Sequence, residues 1–346
     1  MSSMKLPDGF ALRPAALEDV EEVVALFNRC SLAVAGETSH DVNEQSVDWR
    51  TPGFDLDRDT RVVLDGEGRI VGCAEVWDLE EPHVKIHCWG RVDPEHRGRG
   101  IGSVLLGWEE ERGRLALESA PKDARVTLNC GAIVKDAASR DLLETNGFEP
   151  IRYFRRMVIE MSELPPEPTW PEAITVRGFD PDRDVEPALH AVRDTFSDHW
   201  GHVDTPFEEE LVHWRHWIEE DAEFDPAIWF LAESDGRIVG QSLCWAKRPE
   251  GPEFGWIYIV GVDRGWRRRG LALALLRHSF RALYERGKKK VGLGVDAESL
   301  TGANKLYEKA GMKVARESIA YEKELRSGKD LALRTLDEGE ESGERD

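Results

Sequence analysis

Two short strings in this chain combine basic side chains and glycines in a spacing suited to holding a phosphate group: Arg97-Gly98-Arg99-Gly100-Ile101-Gly102 and Arg267-Arg268-Arg269-Gly270-Leu271-Ala272. Each follows an apolar strand-like segment and precedes leucines at i, i+3 and i+4 spacing, so each predicts a turn that opens a helix. The first turn of a helix leaves N–H groups without acceptors and carries partial positive charge, which favours an anion docked there. Gly100 and Gly270 let the backbone approach a phosphate with no Cβ between them, and Gly102 and Ala272 keep the next contact small. One such turn also describes a solvated basic start to a surface helix. Two copies in register argue for a bound anion.

Other candidate groups carry weaker chemistry. His199, His202, His213 and His216 form two H-x-x-H pairs that could face zinc, but they alternate with Trp200, Trp214 and Trp217, a pattern better suited to an aromatic wall or a half-buried helix face. No metal is expected. Cys88 could be a nucleophile, yet no His-Asp set surrounds it, and it reads as a core cysteine.

The elements that position these residues occur twice. Leu12-Arg13-Pro14 leads into a helix pattern over residues 17–30, and Val176-Arg177-Gly178 leads into one over 184–196. Hairpins with glycine-bearing turns follow, built on Asp65-Gly66-Glu67-Gly68 and Ser234-Asp235-Gly236. An apolar strand at 87–92 or 256–262 then enters each basic turn. After the leucine helix come a further strand, at 125–130 or 290–295, and a closing helix ended by Asn146-Gly147-Phe148 or Ala310-Gly311-Met312, where the glycines suit a left-handed C-terminal position. The repeat predicts an α/β fold with a mixed sheet in each of two tandem domains, 1–161 and 173–326. Prolines in 162–172 predict an extended spacer, and residues 327–346 read as a disordered acidic tail.

Composition bounds the partners. The 346 residues are 40% hydrophobic, enough for two cores. A net charge of −21 opposes polyphosphate and anionic lipid, so neither nucleic acid nor a membrane is expected as a partner. The same surplus of acid also fits a cationic partner, a salt-adapted hydration layer or plain solubility. Five widely spaced cysteines with no C-x-x-C pair fit a reducing cytoplasm, and no stretch reaches the roughly 18 uncharged residues of a membrane span. Oligomeric state leaves no mark in the sequence.

Arg or Gln, two residues, Gly, one residue, then Gly or Ala is the coenzyme A signature of the Gcn5-related N-acetyltransferase (GNAT) family, which both halves resemble over residues 10–161 and 174–325. The resemblance implies acetyl-CoA as cosubstrate, bound in a gap where the strand before the signature splays from its neighbour. It implies that Val260, Gly261, Val262, Arg267, Arg268, Arg269, Gly270, Leu271 and Ala272 receive coenzyme in the C-terminal half; the family's asparagine is replaced or displaced here, and residues 299–304 hold its candidates, Asn304 among them. In the N-terminal half the matching residues are Gly90, Arg91, Val92, Arg97, Gly98, Arg99, Gly100, Ile101 and Gly102. In Ala303-Asn304-Lys305-Leu306-Tyr307-Glu308-Lys309-Ala310-Gly311-Met312, Tyr307 stands at the family's general-acid position for the thiolate. Leu143 stands there in the first half and donates nothing, so that half is expected to keep the fold and lack the chemistry.

A tandem pair with a degenerate first copy is similar to the mycothiol synthase-like acetyltransferases, which implies a small-molecule primary amine as acceptor. Trp256 departs from the glutamate expected there. Glu253 and Asp198 are then the candidate bases, and His199, Trp200, Trp256 and Tyr258 the candidate acceptor contacts. The alternatives are a protein N-terminus or lysine as acceptor, or an inactive acyl-CoA-binding module.

Overall fold

The computed structural model describes residues 5–299 and 301–334. Over these the chain divides into unit 1, residues 5–152 with 318–331, and unit 2, residues 153–299 and 301–317 with 332–334. The units do not coincide with consecutive halves.

Unit 1 contains strands β1 (Ala11–Arg13), β2 (Thr60–Leu64), β3 (Ile70–Trp77), β4 (Lys85–Val92) and β5 (Val126–Ile133), with helices α1 (Val20–Ala35), α2 (Val42–Trp49), α3 (Leu56–Asp59), α4 (Ile101–Gly113) and α5 (Ala137–Thr145). Its sheet is mixed: β1 to β4 pair antiparallel in sequence order and β4 pairs parallel with β5. Strand residues alternate between faces. Val62, Ile70 and Cys73 pack with Val23, Phe27 and Cys30 of α1, while Val63, Val71 and Ala74 pack with Ile101 and Leu105 of α4.

Unit 2 repeats the plan. After β6 (Glu149–Glu160) it contains β7 (Thr175–Gly178), β8 (Trp229–Ser234), β9 (Arg237–Trp245), β10 (Phe254–Val262) and β11 (Lys290–Asp296), with α6 (Val185–Phe196), α7 (Phe207–Glu220), α8 (Leu271–Glu285) and α9 (Ala303–Lys309). β7 to β10 pair antiparallel in sequence order and β10 pairs parallel with β11. Leu231 and Leu243 face α6 and α7; Phe230, Ala232 and Cys244 face α8.

The last strands are exchanged. β6, from the first half, pairs antiparallel with β11 from Lys290↔Glu160 to Asp296↔Phe154, and its Met157 is fully buried in the α8-side core. β12 (Lys313–Arg326), from the second half, pairs antiparallel with β5 from Ser318↔Ile133 to Arg326↔Val126. Tyr321 anchors it, fully buried, with its hydroxyl donating to Glu144 Oε1 at 2.7 Å. Local pattern alone, which reads each half as closing its own sheet, contains no signal for this crossing.

The helix stops behave as their glycines require. Gly147 and Gly311 take φ of 82° and 96°, and the next N–H groups, of Phe148 and Met312, reach back to Leu143 O and Tyr307 O at 3.0 Å each. The proline segment runs along α8, where Arg281 donates to Pro165 O at 2.6 Å and Trp170 meets His278 edge-on. Part of the expected tail is held by backbone bonds: Lys329 N donates to Asp123 O and Leu333 N to His202 O. Residues 335–346 lie outside the described residues.

Candidate active site

Each unit contains a fork. β4 pairs with β5 only as far as His87↔Asn129, and β10 with β11 only as far as Trp256↔Gly292. Beyond those rungs β4 stays on β3 to Val92, and β10 stays on β9 to Val262, so the parallel partners separate. In unit 2 the β9–β10 register also shifts between Ile257 and Ile259, which inserts Tyr258 as an extra residue.

At the open end of each fork the chain turns on an aspartate: Asp93 Oδ1 accepts from Glu95 N at 3.0 Å and Asp263 Oδ1 from Gly265 N at 2.8 Å. Gly100 and Gly270 then open α4 and α8 with φ of 85° and 90°. A Cβ on either would meet nothing within 4 Å, so the left-handed backbone rather than crowding requires glycine there. Gly102 is a genuine close approach, since a Cβ would stand 3.1 Å from Leu142. Free first-turn N–H groups beside arginines are a donor set that fits a pyrophosphate.

In unit 1 the expected coenzyme residues come together. Gly90, Arg91, Val92, Arg97, Gly98, Gly100, Ile101 and Gly102 all line one cavity of about 500 Å³, joined by Cys130, Leu142 and Leu143. Arg99 is exposed and does not line it. Arg97 points to Asp136, the residue that caps α5, at 3.3 Å.

In unit 2 the first signature arginine is engaged by protein. Arg267 donates to both oxygens of Asp198, at 2.5 and 3.1 Å, and to Thr195 O at 3.0 Å. Burial pushes the Asp198 carboxyl up, but Arg267 and Arg264 outweigh it and hold the group below the usual carboxylate range. Asp198 therefore fastens the signature turn to the end of α6, a role at odds with that of a base. Gly261 permits this contact, because a Cβ there would stand 2.7 Å from Thr195 Cγ2. Arg268 and Arg269 are exposed, the latter over the Trp266 ring at 4.9 Å.

Asn304 and Tyr307 sit on α9. The Asn304 side-chain N–H donates to Asp296 O at 2.8 Å and Ala297 O at 3.2 Å, which fixes the amide orientation. Its Oδ1 is buried and has no partner among the described residues, an acceptor suited to a ligand amide N–H. Tyr307, 7% exposed, packs in one cluster with Val262, Leu271, Leu293 and Val295, and burial pushes its phenol up to about 12. Leu143 is the corresponding buried residue of unit 1.

The other expected site residues are dispersed. Glu253 is exposed just before β10, at the opposite end of that strand from Val262, roughly 30 Å away at about 3.3 Å per residue. His199 packs edge-on against Phe196, and burial lowers its pKa. Trp200 lies under Arg334. Tyr258, 59% exposed, joins stacked Trp217 and Trp245 with ring centroids at 5.0 and 5.6 Å.

Trp256 lies so close over Gly292 that a Cβ there would be 2.6 Å from its Cζ3. Two arginines flank the indole, Arg156 at 5.0 Å and Arg248 at 5.3 Å, and both pair with the enclosed Glu250 carboxylate, at 2.7 and 3.4 Å. Burial pushes Glu250 up while Arg248 and Arg156 hold it below its usual range. Sequence reading missed this group because Arg156 arrives on the exchanged strand β6; only the spacing of Arg248 and Glu250 before the strand hinted at it.

A parallel strand pair that splays at a glycine-opened helix offers a gap and a donor set that fit an acyl-CoA. Residues 189–312 match the model of the acetyltransferase (GNAT) family and residues 57–150 that of the acetyltransferase (GNAT) domain. The mycothiol acetyltransferase of Streptomyces griseus is 30% identical over 312 residues, covering 88% of this chain and 92% of that protein. A GCN5-related N-acetyltransferase structure from Sphaerobacter thermophilus superposes with a TM-score of 0.78 at 35% identity, covering 96% of this chain and all of that one. A tandem GNAT protein of the clavulanic acid biosynthesis pathway shares the fold, with a TM-score of 0.68 at 16% identity over 92% of this chain and all of that one. The chain belongs to the GNAT acetyltransferase family, with two such domains; it is an acyltransferase and its cosubstrate is acetyl-CoA. No helix among the described residues is long and apolar enough to cross a membrane.

Proposed function

We propose that unit 2 moves acetyl from acetyl-CoA to a primary amine of a small molecule by direct attack, with Tyr307 as the hydrogen-bond and proton donor to the departing thiolate. The observation that carries this reading is that Tyr307 is buried in the same core cluster as Val262, Val295 and Leu271, which belong to the two arms of the fork and the first residue of α8. The coenzyme supplies the thioester. The first-turn N–H groups of α8 receive its pyrophosphate, and Asn304 Oδ1 accepts from an amide of its pantetheine arm.

A phenol near 12 stays protonated through neutral pH, so Tyr307 is always a donor. Its acidity lies well below that of a thiol, whose pKa is about 8.5, so hydrogen bonding to the thiolate dominates over complete proton transfer. Asp198 and Glu250 are both paired with arginine, so neither takes the amine proton, and the acceptor reaches the fork already neutral. A small acceptor is favoured by the relatives named mycothiol acetyltransferase and by the aromatic surface of Trp217, Trp245 and Tyr258. Unit 1, with its cavity and Leu143, is assigned coenzyme binding without turnover.

The test is acetyl-CoA consumption over a panel of small primary amines, among them cysteinyl sugars, using wild-type protein, Tyr307→Phe and Arg97→Ala. Loss of turnover in Tyr307→Phe alone supports the reading. Full turnover in Tyr307→Phe with loss in Arg97→Ala assigns the chemistry to unit 1 instead.

A further inference from the structure

Unit 1 holds two thiols at the apex of its fork. The last paired rung of β4 and β5 is His87↔Asn129, so Cys88 and Cys130 occupy the next one, where the strands begin to part. Both side chains lie on the α4 face: Ile86 and Leu128, two residues earlier on each strand, both lie against Gly113 of α4. Neighbouring strands are about 4.8 Å apart, and a disulfide spans about 4.4 to 6.8 Å between Cα atoms, so this rung stays in range through a modest opening.

Cys130 is reachable. Cys30, Cys73, Cys88 and Cys244 are buried, whereas Cys130 is half-buried and lines the unit 1 cavity. One further group faces the same apex. Glu109 of α4 is 3% exposed, and its Oε1 has no partner among the described residues and lies 3.1 Å from where a Gly90 Cβ would be.

We propose that Cys88 and Cys130 are an oxidisable dithiol, converted by a peroxide to a disulfide that ties β4 to β5 at the fork apex and closes the unit 1 cavity. The Cys130 thiolate attacks one peroxide oxygen and the O–O bond breaks, leaving a sulfenic acid and a hydroxide that takes up a proton to become water. The Cys88 sulfur then attacks the sulfenic sulfur; its proton and the departing hydroxide form a second water. Two thiols and one hydrogen peroxide give one disulfide and two waters. The adjacent Cys88 thiol, followed by the Arg91 charge, holds Cys130 below the usual thiol range against burial, which favours the attacking thiolate. Burial pushes the Glu109 carboxyl beside this apex well above the usual carboxylate range, and the proton that turns the first hydroxide into water comes from solvent.

The experiment treats the full-length protein with hydrogen peroxide, counts thiols in denaturant and maps crosslinked peptides by mass. The expected result is loss of two of the five thiols, with the peptides bearing Cys88 and Cys130 joined and lighter by two hydrogens, reversibly on reduction. An unchanged thiol count, an uncrosslinked Cys130 adduct of a sulfenic-acid probe, or a crosslink to Cys30, Cys73 or Cys244 overturns the proposal. The wild-type protein suffices, so no variant has to fold. A second arm repeats the oxidation with saturating acetyl-CoA and rests on the reading of the cavity as a coenzyme site; crosslinking slowed about tenfold or more is expected from exclusion of the oxidant. Crosslinking at an unchanged rate removes the gating of that cavity and its coenzyme reading, and leaves the disulfide standing.

Discussion

Arg267 holds Asp198 through both carboxylate oxygens, so the residue that heads the coenzyme signature of unit 2 is locked to the end of α6 before any ligand arrives. Asp198→Asn keeps the shape and removes the charge. It is expected to raise KM for acetyl-CoA about tenfold, roughly 1.4 kcal/mol, with kcat changed less. The Asp198 pKa is lowered in the fold, so its contribution to stability is present above the unfolded value of 3.8 and is lost as pH falls through the lower folded value. Acid unfolding monitored below pH 3.8 should therefore be shallower in the asparagine variant.

Tyr307→Phe is expected to lower kcat by about 10²- to 10⁴-fold at nearly unchanged KM, measured by steady-state kinetics. The phenol is raised in the fold, so its neutral form contributes stability below the unfolded pKa of 10, and that stability is lost as pH rises through about 12. Wild-type protein should lose more stability than the phenylalanine variant above pH 10.

With both nearby carboxylates paired to arginines, the rate should follow the ionisation of the acceptor amine. For a series of small amines, kcat/KM is expected to rise with pH up to each amine's own pKa. A common limb near pH 6 to 7 for every amine would reveal a protein base instead.

Glu250→Gln leaves Arg156 and Arg248 against Trp256 without their counter-charge. Removing one partner of such an enclosed group costs about 3 kcal/mol, read as a lower denaturation midpoint for unit 2. Glu250→Gln/Arg156→Met should recover part of that loss.

Residues 1–161 alone lack β12 and expose the β5 edge. That fragment is expected to be insoluble, and Tyr321→Ala in the full chain to cost about 3 to 5 kcal/mol in unit 1. A soluble, cooperatively unfolding 1–161 fragment would mean that β12 is dispensable.

The turn and helix geometry of both forks was legible because it depends on neighbours in sequence. Gly100 and Gly270 need a left-handed backbone between a strand and a helix, Gly147 and Gly311 need it after one, and Leu143 replaces Tyr307 at the same step of the repeat. The acceptor side was not legible. Glu253 adjoins β10 in sequence but lies at the end of that strand away from Val262, and Asp198 looked free because Arg267, its partner, is 69 residues away.

Periodicity, the repeat and the glycine positions follow from local backbone and side-chain preferences, and these were enough to specify two mixed-sheet units with a phenol in one and a leucine in the other; the acyltransferase reading came from the family resemblance of the signature turns. Which strand closes which sheet, which charges neutralise one another and which cysteines meet depend on contacts between distant segments. Burial settles those contacts. β6 and β12 exchange places because Met157 and Tyr321 each fill a core in the unit formed mainly by the other half, and Arg156 reaches Glu250 and Trp256 as a consequence of that crossing.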